Sequence, residues 1–288
     1  MVAARELTPE EWATAVALGA ERVVVLPGEE SWLLARATAA VRPDVQRGWL
    51  VAVGGSCGGA GVSTLATALA LTAGAGSPGA LLVDADPWGG GLDLVLGAER
   101  DEGLRWPALS GVRGRLDGEA VMAALPEVAG VSVLATSRSE PRPVPEEALA
   151  AVVEAARTGG RQVVVDLARP GPQGPDGGAE LVLAEADLVL LLVPARLRAA
   201  SAARLLVGEP DRPGRWAAAH LVTRPVAGGL ARHEIADVVG RPVLAELGPD
   251  RSAAGRGERG EPPLVTARSP FGTVTRAVLA ALPGRDQR

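Results

Sequence analysis

Residues 49–66, WLVAVGGSCGGAGVSTLA, decide how this chain is read. The apolar run Leu50 to Val53 suits a buried strand, a glycine-rich loop follows, and Ser63-Thr64 opens an apolar segment that suits a helix. That is the layout of a phosphate-binding P-loop. Gly58, Gly59 and Gly61 let the backbone take positive φ and approach an anion closely. Amides pointing inward at a helix N-terminus, together with the helix dipole, favour negative charge there. Ser63 is placed to offer its hydroxyl to Mg2+ and Thr64 to reach an α-phosphate. The lysine that closes such a loop is missing, because Val62 stands between Gly61 and Ser63. A charge-assisted hydrogen bond at that place is worth roughly 1.5–3 kcal/mol, or about one to two decades of affinity. A ligand-free glycine turn is the alternative, so the downstream residues have to decide.

Ligands of open α/β sheets lie beyond the carboxyl ends of the strands. Two further apolar strands end there in acid: LLVDAD (81–86) gives Asp84 and Asp86, and VVVDL (163–167) gives Asp166. Any one Asp at a strand end also reads as a turn or helix cap. Mg2+ in nucleotide sites, however, is held by a Ser/Thr hydroxyl, a carboxylate and the phosphates. Two acid-ended strands behind a loop ending in Ser-Thr therefore point to nucleotide-binding ancestry.

From Gly48 onward strand and helix patterns alternate. Strands are expected at 50–53, 80–84, 131–135, 162–166, 188–193, 220–223 and 242–246, with helices at 63–71 and 146–157. Most strands are continuous Val/Leu/Ala runs, the mark of a parallel sheet covered on both faces. The fold class is α/β, a doubly wound, mainly parallel sheet of P-loop NTPase type spanning 49–288. Residues 1–48 form a separate short unit: a helix from Thr8 to Leu18, a strand from Arg22 to Leu26 and a helix from Glu29 to Val41. Such a fragment cannot close a core by itself. Proline and glycine cluster at 169–178 and 208–214, which read as mobile loops, the first in the place of a ligand-sensing switch. The last helical stretch, Thr273 to Leu282, carries a single Arg and reads as a docked core helix, not a basic membrane anchor.

Composition narrows the function classes. The 288 residues carry 29 basic and 34 acidic side chains, a net charge of −5, which argues against broad electrostatic binding to nucleic acid. All the basic residues are Arg, so the missing loop lysine is not a Lys-to-Arg exchange but a loss of charge. One cysteine, Cys57, excludes a disulfide framework and reads as a small loop-filling residue. His220 and His233 lack metal-ligand spacing and read as structural. There is no transmembrane run and no signal peptide, which makes the cytoplasm the default location, with peripheral attachment at the membrane or septum as an extension.

Taken together, the loop, DADPWGGGLDLVLG (84–97) and VVVDL resemble the deviant P-loop ATPases of the MinD/ParA superfamily. Their loop, Lys-Gly-Gly-x-Gly-Lys-Ser/Thr-Thr, aligns with residues 57–64 here, so both superfamily lysines are replaced, by Cys57 and Val62. The resemblance implies ATP and Mg2+ as cofactors, with Gly58, Gly59, Ala60, Gly61, Val62, Ser63 and Thr64 at the phosphates. It implies Asp86 as the group that positions attacking water, Asp84 as a structural or metal-side partner, and Asp166 as the Mg2+ carboxylate beside Ser63. VTRP (222–225) lies where the superfamily often carries an Asn that reads adenine, and this chain has no Asn at all. The segment 103–135, GLRWPALSGVRGRLDGEAVMAALPEVAGVSVLA, is similar to one typical of CpaE-like, septum-site-determining (Ssd) proteins. Those carry a receiver-like N-terminal domain, and 17–41 looks like the closing half of one, which implies either a missed upstream start or a degenerate domain.

Three functions follow from the resemblance. The first is a septum-site-determining or cell-division regulator that binds nucleotide weakly and acts through protein partners. The second is an assembly or localisation factor for a Flp-type pilus or secretion system. The third is an active Mg-ATPase switch. A nucleotide-dependent homodimer is implied by the superfamily. Arg169, Arg196 and Arg198, which follow strand ends, are the candidates to replace the lost cations. Loss of both cations costs catalysis more than binding, since phosphoryl transfer relies on electrostatic stabilisation.

Overall fold

The computed structural model describes residues 2–3, 8, 14, 24–28, 30, 46–76, 78–167, 177–209 and 211–283. It divides into two units, Met1–Gln46 and Arg47–Arg288. In the first unit β1 (Val2–Ala3) pairs in parallel with β2 (Val24–Val25), inside the strand expected at 22–26. Of the two helices expected on either side, all but residues 8, 14 and 30 lie outside the described residues.

The second unit is built on eight strands. They are β3 (Leu50–Gly55), β4 (Ala80–Ala85), β5 (Glu127–Val128), β6 (Val131–Leu134), β7 (Gln162–Leu167), β8 (Leu188–Pro194), β11 (His220–Arg224) and β12 (Val243–Glu246). Their spatial order is β12-β11-β8-β3-β7-β4-β6-β5, and every pairing is parallel except that of β5 with β6. The doubly wound α/β sheet expected from the continuous apolar runs is therefore present, with a short antiparallel strand added at one edge. Alternate residues serve opposite faces, as a two-residue strand period requires. Leu50 and Ala52 of β3 join one core cluster, and Val51 and Val53 join the other.

Helices cover both faces. On one side α1 (Val62–Gly74) buries Leu65, Leu69 and their alanine neighbours beneath α10 (Pro270–Ala280). Ser269 caps α10 by accepting a hydrogen bond from the Gly272 amide at 3.1 Å, with Pro270 pre-set for the first turn. This helix buries Phe271, Val274 and Val278 in that face, the core position expected for 273–282. On the other side lie α5 (Glu146–Thr158), α6 (Gly177–Glu185), α7 (Leu197–Val207) and α8 (Arg232–Val239). In α5 the spacing of Leu149, Val152, Val153 and Ala156 makes one apolar stripe, and each fully buried Leu or Val contributes about 1.5–3 kcal/mol.

The elements the sequence reading did not name include α6 and α7 as well as several short or irregular ones. Between β4 and β5 run α2 (Leu92–Leu96), α3 (Trp106–Leu109) and α4 (Gly118–Ala123), too brief to show a helical period. The segment 208–214, expected as a mobile loop, instead contains an antiparallel pair, β9 (Gly208–Glu209) with β10 (Arg212–Pro213). Arg204 of α7 ties it down through Glu209 at 2.6 Å. The other proline-glycine cluster, at 169–178, lies almost wholly outside the described residues. His220 and His233 are both surface residues rather than parts of the core. Among the described residues no helix is long and apolar enough to cross a membrane.

Candidate functional site

The loop joins β3 to α1 at the centre of the sheet, between β7 and β8, where the strands' carboxyl ends meet. Gly59 and Gly61 take φ of +69° and +102°. Gly61 is the left-handed N-cap of α1 and makes no side-chain cap, so the first-turn amides face outward from the helix toward whatever lies over the loop. A Cβ at Gly59 would meet nothing within 4 Å, which leaves open space above the loop backbone.

Val62 does not occupy that space. Its Cγ2 lies 2.6 Å from where a Cβ on Gly55 would stand, so the side chain folds back against the end of β3 and joins the apolar packing. At the position of the missing lysine a half-buried valine thus packs against the core. Cys57, half-buried, packs against both core clusters, in keeping with a loop-filling residue.

Three carboxylates gather at the strand ends beside the loop. Asp84 and Asp166 are register partners on adjacent strands, and Val53 of β3 is the other partner of Asp166. Asp166 is buried; burial pushes its carboxyl up to about 8, against the opposing effect of a hydrogen bond from the Ser63 hydroxyl, with Asp84 and Asp86 adding like-charge repulsion. Burial also raises Asp84, to about 6, although it accepts hydrogen bonds from the amides of Asp86 (3.1 Å) and Leu92 (3.0 Å) and from Thr136 Oγ1 (3.1 Å). Both Asp84 oxygens are engaged, which makes this residue the organiser of the 84–92 turn. Asp86, half-buried, accepts the Trp88 amide at 3.0 Å and remains the more open of the pair.

The segment 103–138 locks onto this turn. Trp106 Nε1 donates to the Asp84 carbonyl at 2.6 Å. The buried Asp93 is held by Arg105 at 3.0 Å and Arg138 at 2.7 Å. Sequence reasoning singled out 103–135 but neither Asp93 nor its two arginines, whose contact spans 45 residues in the case of Arg138.

A cavity of about 440 Å³ lies on the other side of the loop, within the range of small-molecule sites. Gly59 to Gly61 and Thr64 form one wall; Arg224, Asp250 and the short α9 (Ala253–Gly257) lie opposite. Arg224, at the end of β11, donates from Nη2 to the Gly59 carbonyl at 3.2 Å, while its buried Nε has no hydrogen-bond partner among the described residues. Sequence reasoning did not single out this side chain at the cavity. Of the arginines named there, Arg196 and Arg198 are exposed and Arg169 lies outside the described residues.

A nucleotide with Mg2+ fits what is present. The open glycine loop and the cavity beside Thr64 suit a phosphorylated ligand. Ser63 and Asp166 are hard oxygen donors of the kind Mg2+ takes. Among the described residues no three His, Cys, Asp or Glu side chains are grouped to hold a metal by themselves, so phosphate oxygens would complete its shell.

The comparisons follow this geometry. Residues 1–48 match the family described as Rv3660c-like, CheY-like N-terminal domain. Over 286 aligned residues the chain is 40% identical to the uncharacterized protein Rv3660c of Mycobacterium tuberculosis, covering 96% of this chain and 77% of that protein. The chain belongs to the Rv3660c family. Its fold is that of the MinD/ParA P-loop ATPases. A ParA family ATPase from Chlorobium tepidum superposes with a TM-score of 0.67 at 18% identity, covering 81% of this chain and 98% of the other. The septum site-determining protein MinD from Pyrococcus horikoshii, solved with Mg-ADP, gives 0.61 at 17% identity, covering 81% and 96%.

Proposed function

We propose that this protein is a regulator built on a MinD/ParA-type nucleotide site, which binds Mg-ATP or Mg-ADP weakly, hydrolyses little, and acts through protein partners in cell division or septum placement. The observation that carries the reading is the split state of the loop. Its glycine geometry and adjoining cavity are kept, while Val62 is turned back against the end of β3 and Cys57 fills the other lysine position. A site that keeps its amides but lacks loop cations can hold phosphates. It gives up much of the charge stabilisation that a phosphoryl-transfer transition state needs. Within this reading Gly58 to Thr64 hold the phosphates, Ser63 and Asp166 the metal, and Asp86 is the remnant of the water-positioning group.

Support for the septum role is the fold shared with MinD and the similarity of 103–135 to Ssd-type proteins. The CpaE-like alternative, a pilus or secretion assembly role, draws on the receiver-like match at 1–48. The deciding experiment measures Mg-ATP binding by calorimetry and phosphate release in the unsubstituted chain and in Asp86→Ala. Weak binding with equal, near-background turnover is expected; a clearly faster unsubstituted chain would make the protein a working ATPase switch.

A further inference from the structure

We infer that Arg138 is a positioning residue for the acid turn: held by the buried Asp93, its guanidinium grips the Gly90 carbonyl and so fixes the Asp86–Gly90 turn beside Asp166. What the turn does for a nucleotide rests on the reading above; the grip itself does not.

The turn has little else to fix it. Gly89, Gly90 and Gly91 run in succession, the last two at φ of +85° and +100°, where the backbone has most freedom. The Trp88 ring is 78% exposed and adds little packing. The Asp86 amide bonds to Asp84, and the Trp88 and Gly89 amides bond back to Asp86, all within the turn. Among the described residues, the one hydrogen bond that 86–90 receives from outside the turn comes from Arg138 Nη1 to the Gly90 carbonyl, at 3.2 Å.

Balancing the Asp93 charge does not explain Arg138. Arg105 already does so through Nε at 3.0 Å, and its other nitrogens donate to the carbonyls of Ala98, Asp101, Gly103 and Leu104. A second guanidinium adds the bond from Nη1 to Asp93 Oδ1 at 2.7 Å and, from the same nitrogen, the bond to Gly90. Asp93 therefore sets where the guanidinium stands, and the guanidinium sets the turn. Gly91 makes room for this, since a Cβ there would stand 2.5 Å from Asp93 Oδ1 and 2.6 Å from Arg138 Nη1. The end of β6 thus holds the acid turn twice, through Thr136 at Asp84 and through Arg138 at Gly90. Asp84 and Asp166 are register partners, and the Asp86 charge is near enough to Asp166 to repel it, so fixing the turn fixes an acid at the candidate metal site.

The test reads the turn first without nucleotide. The full chain carries six tryptophans and is labelled with fluorotryptophan, the Trp88 and Trp106 lines being assigned by Trp88→Phe and Trp106→Phe. In Arg138→Gln the fluorine NMR line of Trp88 should narrow and move toward the free amino acid, while that of the buried Trp106 stays in place. An unmoved Trp88 line overturns the inference. Movement of both lines makes Arg138 a general support of the fold and overturns it as well. Should Arg138→Gln fail to fold, Arg138→Lys decides: it keeps a charge beside Asp93 without the fork that spans Asp93 and Gly90, and an unmoved Trp88 line there is equally fatal. Calorimetric titration with ADP, in Mg2+ and in EDTA, supplies the second arm. Groups that orient a metal's surroundings cost about tenfold in affinity when removed, so Arg138→Gln should weaken ADP by roughly tenfold in Mg2+ and not in EDTA. Adding Asp86→Asn should then cost nothing further. Equal ADP affinity in Mg2+ for Arg138→Gln and the unsubstituted chain overturns the positioning role. Absence of ADP binding by the unsubstituted chain overturns the nucleotide reading instead, and the Trp88 line then judges the grip.

Discussion

The two ends of β3 treat charge in opposite ways. At the amino end Arg157 donates from Nε to the Gly48 carbonyl at 2.9 Å and from Nη2 to Asp187 at 2.7 Å, and the same Asp187 oxygen accepts the Leu50 amide at 2.7 Å. There the Arg157 charge meets its opposite. At the carboxyl end Asp84, Asp86 and Asp166 converge, Asp166 with a raised pKa, and the buried Nε of Arg224 has no hydrogen-bond partner among the described residues. One end is finished and serves stability. The other holds unbalanced groups of the kind that collect at binding sites, where the cost is offset by packing elsewhere.

The largest test of that contrast is Asp166→Asn. The folded chain holds the Asp166 proton up to about pH 8, whereas the unfolded chain releases it near the ordinary carboxylate value of 3.8. A carboxyl raised on folding stabilises the native state below its unfolded pKa, and that contribution drains away as pH climbs toward the folded value. The uncharged amide has no such dependence. Asp166→Asn should therefore be more stable than the unsubstituted chain by on the order of 3 kcal/mol at pH 7, with little difference near pH 4. Urea unfolding at pH 4, 5.5 and 7 measures it. A variant weaker at every pH would show that Asp166 is a satisfied structural group and that the carboxyl end is as finished as the amino end.

At the amino end the expected sign reverses. Arg157→Met removes a nearly buried guanidinium and leaves Asp187, about a third exposed at 36%, and the Gly48 carbonyl without their partner. Removing one member of a fully buried pair costs about 3–5 kcal/mol, and the exposure of Asp187 brings the expectation down to about 2 kcal/mol. The same unfolding series reads it. A neutral result would mean that the ion pair is incidental and that backbone pairing alone fixes the start of β3.

What could be read in advance follows the same division. The main strands, their parallel character and the loop were legible because each is a local pattern: a continuous apolar run, a glycine cluster, an acid after a strand. The chemistry of the carboxyl end was only half legible. Asp84, Asp86 and Asp166 showed themselves as strand-end acids, but Thr136, which holds Asp84, lies 52 residues away. Arg224 meets Gly59 across 165 residues. No spacing rule links such pairs, because sheet order and not sequence order brings them together. The misreading of 208–214 has the same source, since Gly and Pro mark a turn without saying whether the flanking residues pair. VTRP was noticed only for the absence of an Asn, and nothing local in it shows that Arg224 reaches Gly59.

The smallest expected effect probes how the acid turn is tied to the 103–135 segment. Trp106 is buried and its side chain makes one polar contact, from Nε1 to the Asp84 carbonyl. Trp106→Phe keeps most of the ring in the core and deletes that bond, leaving a buried carbonyl with one fewer donor. The loss should be about 1 kcal/mol, a few degrees in Tm. Its value lies in what moves with it. If the 103–135 segment serves to hold the acidic turn at the loop, Trp106→Phe should also weaken Mg-ADP binding, although Trp106 is absent from the cavity wall. A drop in stability with Mg-ADP affinity unchanged would separate the 103–135 segment from the proposed nucleotide site.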